Sequence, residues 1–170
     1  MKTLAEHLTR YAHYHRDPRN IATHFVGIPL IVMGVSILLS RPGFHLAGMW
    51  LSPALLVAAG AAWFYLRLDV RFGLVMGALL GACLWLGERL ALESTGLWSG
   101  AGVSAFVAGW VIQFVGHGYE GRKPAFLDDL SGLIIGPLFV VAELAFMAGL
   151  CPALKRTVEA GAGPVKVRGM

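Results

Sequence analysis

Charge is what this sequence has least of. Only 14% of its residues are Asp, Glu, Lys or Arg, against about a quarter in soluble globular domains. Four intervals, 21–40, 42–66, 72–87 and 94–119, contain none at all. That shortage excludes a soluble domain, because each interval approaches the ~20 apolar residues needed to cross some 30 Å of hydrocarbon. Cysteine is sparse too: Cys83 and Cys151 both sit among apolar neighbours, so neither a disulfide framework nor a thiolate metal site is indicated. The N-terminal segment carries charges and aromatics in place of a short apolar core ending in small residues, and no cleavable signal peptide is expected. Internal repeats, low-complexity runs and long linkers are missing. The excess of 14 basic over 10 acidic residues is modest and falls mostly at the edges of the apolar intervals, where anionic headgroups favour it. Nucleic acid is therefore not an expected partner.

What remains is apolar: 56% hydrophobic residues and a mean hydropathy of +0.66. The pattern predicts an all-α integral membrane helical bundle, a single membrane domain over 1–170 with four to five membrane segments. The spans are expected at 21–40, 46–66, 72–90 and 98–117, and a further segment at 131–153 is interrupted by Glu143 and by Gly136-Pro137. This last segment either spans or enters and returns. Residues 1–16 read as a short interfacial helix, with Leu4, Leu8 and Tyr11 at helical spacing. Asp17-Pro18 then stops that helix and supplies a cap and a first-turn proline for the next. Lys2, Arg10, Arg16 and Arg19 precede the first span, and Arg67 and Arg71 lie between the second and third, which places both segments on the cytoplasmic side. Alternation returns the end of the fourth span, with Arg122 and Lys123, to that same side.

The histidines are distributed unevenly about this topology. Asn20 and His24 are four apart and share a helix face, and the turn at Pro18 can fold His15 toward it. Gln113, His117 and Glu120 fall at i, i+4 and i+7, within about 60° of one another around a helix. Three histidines and a carboxylate thus gather at one membrane face, whereas His7, His13 and His45 read as solvated or interfacial. Imidazole and carboxylate are ligands of Zn(II) and non-haem Fe(II), and a set that leaves open positions suits iron that must meet both a substrate and dioxygen. An alternative remains open on these residues alone: interfacial histidines beside headgroups, with Asn20 and Gln113 bonding between helices. Glu143, a carboxylate inside an apolar stretch, is expected to face a partner or a cavity.

Tyr14-His15, Pro18, Asn20, His24 and Pro29, followed by Gln113-Phe114, Gly116-His117-Gly118, Glu120, Pro124-Ala125, Asp129 and Pro137-Leu138-Phe139, resemble the yeast 2-hydroxy fatty acid dioxygenase family over most of the chain. The paired motifs are Y-H-x4-N-x3-H and Q-F-x-G-H-x2-E. Members of that family are endoplasmic reticulum enzymes of phytosphingosine degradation, with bacterial and plant relatives. The resemblance implies an Fe(II)-dependent α-oxidation, in which a 2-hydroxy fatty acid and dioxygen yield a fatty acid one carbon shorter. It implies His15, His24 and His117 as iron ligands, with Glu120 as a fourth ligand or a partner of the ligands. Glu120 and Tyr14 become the catalytic candidates, and Asn20, Gln113, Arg122, Lys123 and Glu143 the supporting or substrate-facing ones. Asp129 departs from the asparagine expected in fungal members. The implied location is the endoplasmic reticulum membrane, or the inner membrane of a bacterium, with the site on the cytoplasmic face. Two other classes compete. Membrane diiron hydroxylases and desaturases resemble one another in needing a larger histidine cluster than six residues provide. A non-catalytic lipid-binding or transport bundle would explain the polar residues without iron.

Overall fold

The computed structural model describes residues 2–166. Its elements, in chain order, are α1 (Leu4–Ala12), α2 (Pro18–Leu38), β1 (Phe44–Leu46), β2 (Met49–Leu51), α3 (Pro53–Leu68), α4 (Val70–Ala91), α5 (Thr95–Glu120), a 3-10 turn at Ala125–Leu127, α6 (Ser131–Met147) and α7 (Pro152–Ala162). Helices α2, α4 and α5 are each long and apolar enough to cross a membrane. Helices α6 and α7 pass the same test only together, and they are bent by 117° at the break between them, as expected of a broken span or a re-entrant segment. The protein is an all-α membrane bundle with a short N-terminal helix.

The chain divides into two compact units, one formed by the residues up to Ile28 and from Val111 onward, the other by Pro29–Trp110. Within the second unit, residues 44–51 form a two-stranded antiparallel hairpin, closed by Ala47 and Gly48 at positive φ. Two consecutive residues in that conformation are what a tight hairpin turn of the correct twist requires. The hairpin takes up the start of the interval expected to span at 46–66, so α3 begins at Pro53, a proline in its first turn. Its 16 residues rise only about 24 Å, short of a full crossing. Asp69 then caps α4 by accepting from the Arg71 and Phe72 amides. The α3–α4 approach is close at Gly73, where a Cβ would lie 2.6 Å from Leu66 Cα.

In the first unit, α1 opens with a reciprocal capping box: Thr3 accepts from the Glu6 amide while the Glu6 carboxylate accepts from Thr3 N–H. Its apolar stripe of Leu4, Leu8, Tyr11 and Ala12 is buried, packed against α6 and α7. The stripe that sequence alone assigns to a lipid surface is thus covered by protein. Helix α2 starts at Pro18, as the Asp17-Pro18 pair predicts. The Asp17 carbonyl accepts the first helical bond from Ile21 N–H, and its carboxylate accepts from the Arg19 amide at 2.9 Å.

Candidate metal centre

Three elements of the first unit each deliver one histidine. His15 lies in the tight turn after α1, where its N–H donates to Ala12 O. His24 lies nearly two turns into α2, and His117 is in the last turn of α5. All three are buried, and each offers a ligand nitrogen such that the three atoms lie within 4.8 Å of one another. Ring centroids are 4.4 Å apart for His15–His24, 5.0 Å for His15–His117 and 5.2 Å for His24–His117, all edge-to-face. Tyr11 stacks flat on His15 at 4.2 Å, and Phe139 of α6 tilts against the same ring at 5.6 Å. These aromatics make one wall of the site apolar.

Hydrogen bonding decides which nitrogens are available. His15 Nδ1 pairs with Tyr11 O at 2.8 Å, and His24 Nδ1 pairs with Asn20 O at 2.8 Å. A carbonyl can only accept, so each Nδ1 carries the proton and each Nε2 carries a lone pair. His15 Nε2 and His117 Nδ1 are buried without a hydrogen-bond partner, as are Asn20 Oδ1 and Gln113 Nε2. Such orphans cost free energy unless something unseen satisfies them. A histidine whose second ring nitrogen is tied to a carbonyl, with the first left bare, is the usual arrangement of a metal ligand. Two nitrogens bound to one ion at about 2.1 Å are separated by roughly 3–4 Å, inside the 4.8 Å that bounds the three atoms here. The donor set therefore fits a divalent transition metal. Burial, reinforced by the two neighbouring imidazoles, also pushes the His15 pKa well below its ordinary 6.5, so the ring is neutral and able to ligate at neutral pH.

Glu120 stands three residues beyond His117, and its carboxylate is engaged elsewhere. Oε2 accepts from Arg16 N–H at 2.9 Å, Asp17 N–H at 2.7 Å and Asn20 Nδ2 at 3.2 Å. Oε1 receives Lys166 Nζ at 3.1 Å. One carboxylate thereby joins the three segments that carry the histidines. The close approach of α2 and α5 beside it depends on Gly116, where a Cβ would collide with Thr23 Oγ1 and lie 2.7 Å from Asn20 Oδ1.

The other candidates divide clearly. Asn20 and Gln113 are buried, Asn20 bridging Glu120 and the Tyr14 carbonyl. Tyr14 places its hydroxyl 2.9 Å from Asp128, on the exposed side of the turn. Lys123 pairs with Asp128 at 2.6 Å, and Arg122 donates to His13 O at 2.9 Å, so both basic residues tie the loop after α5 to the α1–α2 turn or to itself. Glu143 lies 3.5 Å from Arg16 Nη2 in a buried pair. His45 belongs to the second unit, 3.1 Å from Glu88. Arg16, Asp17 and Lys166 are the participants that sequence reasoning missed. Arg16 reads as a topological charge, yet it is buried and its Nε donates to both Ala12 O and His15 O. Burial lowers its pKa, with Glu143 and Glu120 opposing. Asp17 reads only as a cap, and hydrogen bonding from Arg19 holds its carboxyl down at about 2.

A helical membrane protein with a buried three-histidine centre is the class that this fold and site define. Residues 1–148 match the family model described as 2-hydroxy-palmitic acid dioxygenase Mpo1-like, and the chain belongs to that family. It is 33% identical over 158 residues to the 2-hydroxy-palmitic acid dioxygenase MPO1 of Saccharomyces cerevisiae, a similarity covering 92% of this chain and 87% of the yeast protein. No solved structure matches it.

Proposed function

We propose that this protein is an Fe(II)-dependent dioxygenase that shortens 2-hydroxy fatty acids by one carbon. The observation that carries the reading is the convergence of one ligand nitrogen from each of three buried histidines on three segments, with His15 Nε2 and His117 Nδ1 buried and without a hydrogen-bond partner, in a chain of this family. His15, His24 and His117 would hold the ion, leaving positions for the substrate's hydroxyl and carboxylate oxygens and for dioxygen. Bound Fe(II) supplies the electron chemistry with dioxygen that side chains lack. The protein's own part is positional. The Nδ1–carbonyl bonds fix two ring orientations, Glu120 fixes the spacing of the three segments, and Tyr11 and Phe139 keep water from one side of His15. Tyr14 and Arg122 act in this reading by holding the loop after α5 against the α1–α2 turn, and Lys123 by bracing Asp128 within that loop. That contact also supports a shared aqueous face for the two, which the charge pattern makes cytoplasmic. An acyl tail can then remain in the lipid while its head group reaches the site.

The stoichiometry closes without a further reductant if carbon 1 leaves as carbon dioxide: one hydroxy acid and one O₂ give the shortened acid, CO₂ and water. Incubation of the purified protein with Fe(II), air and three acids of equal length tests the reading by mass spectrometry. The 2-hydroxy acid should be consumed to the acid one carbon shorter, while the unsubstituted and 3-hydroxy acids, each unable to present adjacent hydroxyl and carboxylate oxygens, should be poor substrates. Equal turnover of all three, or a 2-hydroxy product from the unsubstituted acid, would replace α-oxidation with simple hydroxylation.

A further inference from the structure

The segment following α7 lies beyond the residues matched to the family, yet it reaches the histidine centre. Lys166 N–H donates to Arg16 O at 2.9 Å, Lys166 Nζ meets Glu120 Oε1 at 3.1 Å, and Gly163 O accepts from Arg16 Nη1 at 2.9 Å. We propose that residues 163–166 are a strap that holds the three histidine-bearing segments in register, with Lys166 as its positioning residue; this rests on reading those histidines as metal ligands.

Geometry supports the assignment at both ends of the strap. The Glu120 side chain is 2% exposed, whereas that of Lys166 is 59% exposed. Lys166 therefore neutralises a buried carboxylate while its own ammonium keeps most of its water, which avoids the full desolvation cost of a buried pair. Oε2 of Glu120 is already committed to Arg16, Asp17 and Asn20, and Lys166 is the cation that holds Oε1. Releasing Oε1 lets the carboxylate rotate, and rotation disturbs the amide bonds beside His15 and the Asn20 bond one turn before His24. At the other end, Arg16 bonds His15 O through Nε and the strap through Nη1. Loss of the strap thus loosens two separate links to His15.

Co(II) titration of the purified, unaltered protein in detergent, followed by visible absorption, tests this beside three variants: a chain ending at Ala162, Lys166→Ala and Lys166→Arg. Partners of metal ligands typically govern affinity by roughly 10- to 100-fold. The shortened chain should lose affinity in that range, Lys166→Ala about tenfold, and Lys166→Arg should restore it. A role in stability alone would lower the unfolding temperature and leave the Co(II) affinity and spectrum of the folded protein unchanged. Unchanged affinity in the shortened chain and in Lys166→Ala would overturn the strap while leaving the metal centre intact. A Lys166→Arg variant no better than Lys166→Ala would overturn the positioning role of the charge. Absence of Co(II) binding by the unaltered protein would overturn both readings. If the shortened chain does not fold, the two Lys166 variants decide in the same way.

Discussion

The two compact units handle polarity in opposite ways. Among the described residues, the Pro29–Trp110 unit buries three polar side chains, all serines (Ser36, Ser40 and Ser52). Ser40 shows how such a group is accommodated, its hydroxyl donating to Ile37 O one turn back. The histidine-bearing unit buries nine: three imidazoles, three acids, an arginine and two amides. A helix satisfies its own backbone in lipid, so membrane folds need few buried polar side chains, and those they keep tend to be functional. Nine polar groups confined to one unit among the described residues, with several left unpartnered, therefore make that unit the candidate site. The other unit has the composition expected of a scaffold.

The sharpest break in this comparison comes from the histidines. His15→Ala, His24→Ala or His117→Ala should each abolish or sharply reduce iron in the purified protein, measured by metal analysis, and should remove turnover with it. Full iron occupancy in all three variants would reduce the polar concentration to interfacial packing. Next in size is Glu143→Ala, which removes the carboxylate paired with the buried Arg16 and leaves its guanidinium only carbonyl partners. Breaking a buried pair in this way costs about 3–5 kcal/mol, readable as a fall in chemical or thermal stability. The pair is at the long end of hydrogen-bond distance, 3.5 Å, so the lower figure is expected.

A matched pair of glycines sharpens the contrast further. Gly116→Ala in the histidine unit forces a methyl into Thr23 and Asn20 and should cost about 1–3 kcal/mol. Gly77→Ala in the other unit meets nothing within 4 Å and should instead gain up to about 1 kcal/mol through helix propensity. Equal effects on the unfolding midpoint would erase the distinction. The smallest effect expected is one of pH. Asp129 accepts from Ser131 N–H at 3.0 Å and pairs with Arg10 at 2.9 Å, and the Ser131 bonds hold its carboxyl below the ordinary 3.8. A depressed carboxyl contributes fully above its unfolded pKa, and the contribution fades as pH falls through the folded one. Protection of the first turn of α6 against hydrogen exchange should therefore decline only below about pH 4. Asp129→Asn, which retains an acceptor but not the charge, should remove that decline.

Much of the centre was legible because it obeys short-range periodicity. Asn20 with His24, and Gln113 with His117 and Glu120, are fixed by helical repeats, and the proline at position 18 marks the turn that returns His15 to them. The charge-free intervals located α2, α4 and α5 for the same reason. The hairpin at 44–51 was hidden because Phe44, Leu46, Met49 and Leu51 are as apolar as a span, and the turn at Ala47-Gly48 lacks the asparagine or aspartate that usually announces one. The capping box of Thr3 and Glu6 has the spacing that such a box shows in any sequence. Arg16 and Lys166 were illegible for a different reason. A contact across some 150 residues of sequence leaves no periodic trace, and a basic residue near a membrane edge already has a sufficient explanation in topology.

The tethering of His15 to Tyr11 O and of His24 to Asn20 O, each at a separation of four residues, has a consequence for how this chain can change length. Each added residue in a helix turns everything beyond it by about 100° and advances it by about 1.5 Å. A single insertion between Asn20 and His24 would carry the imidazole off its carbonyl and off the shared face at once, and no neighbouring rotamer recovers both. Substitutions at residues 21–23 leave the tether in place. Insertions and deletions there do not, so this stretch should accept new side chains far more readily than a new length.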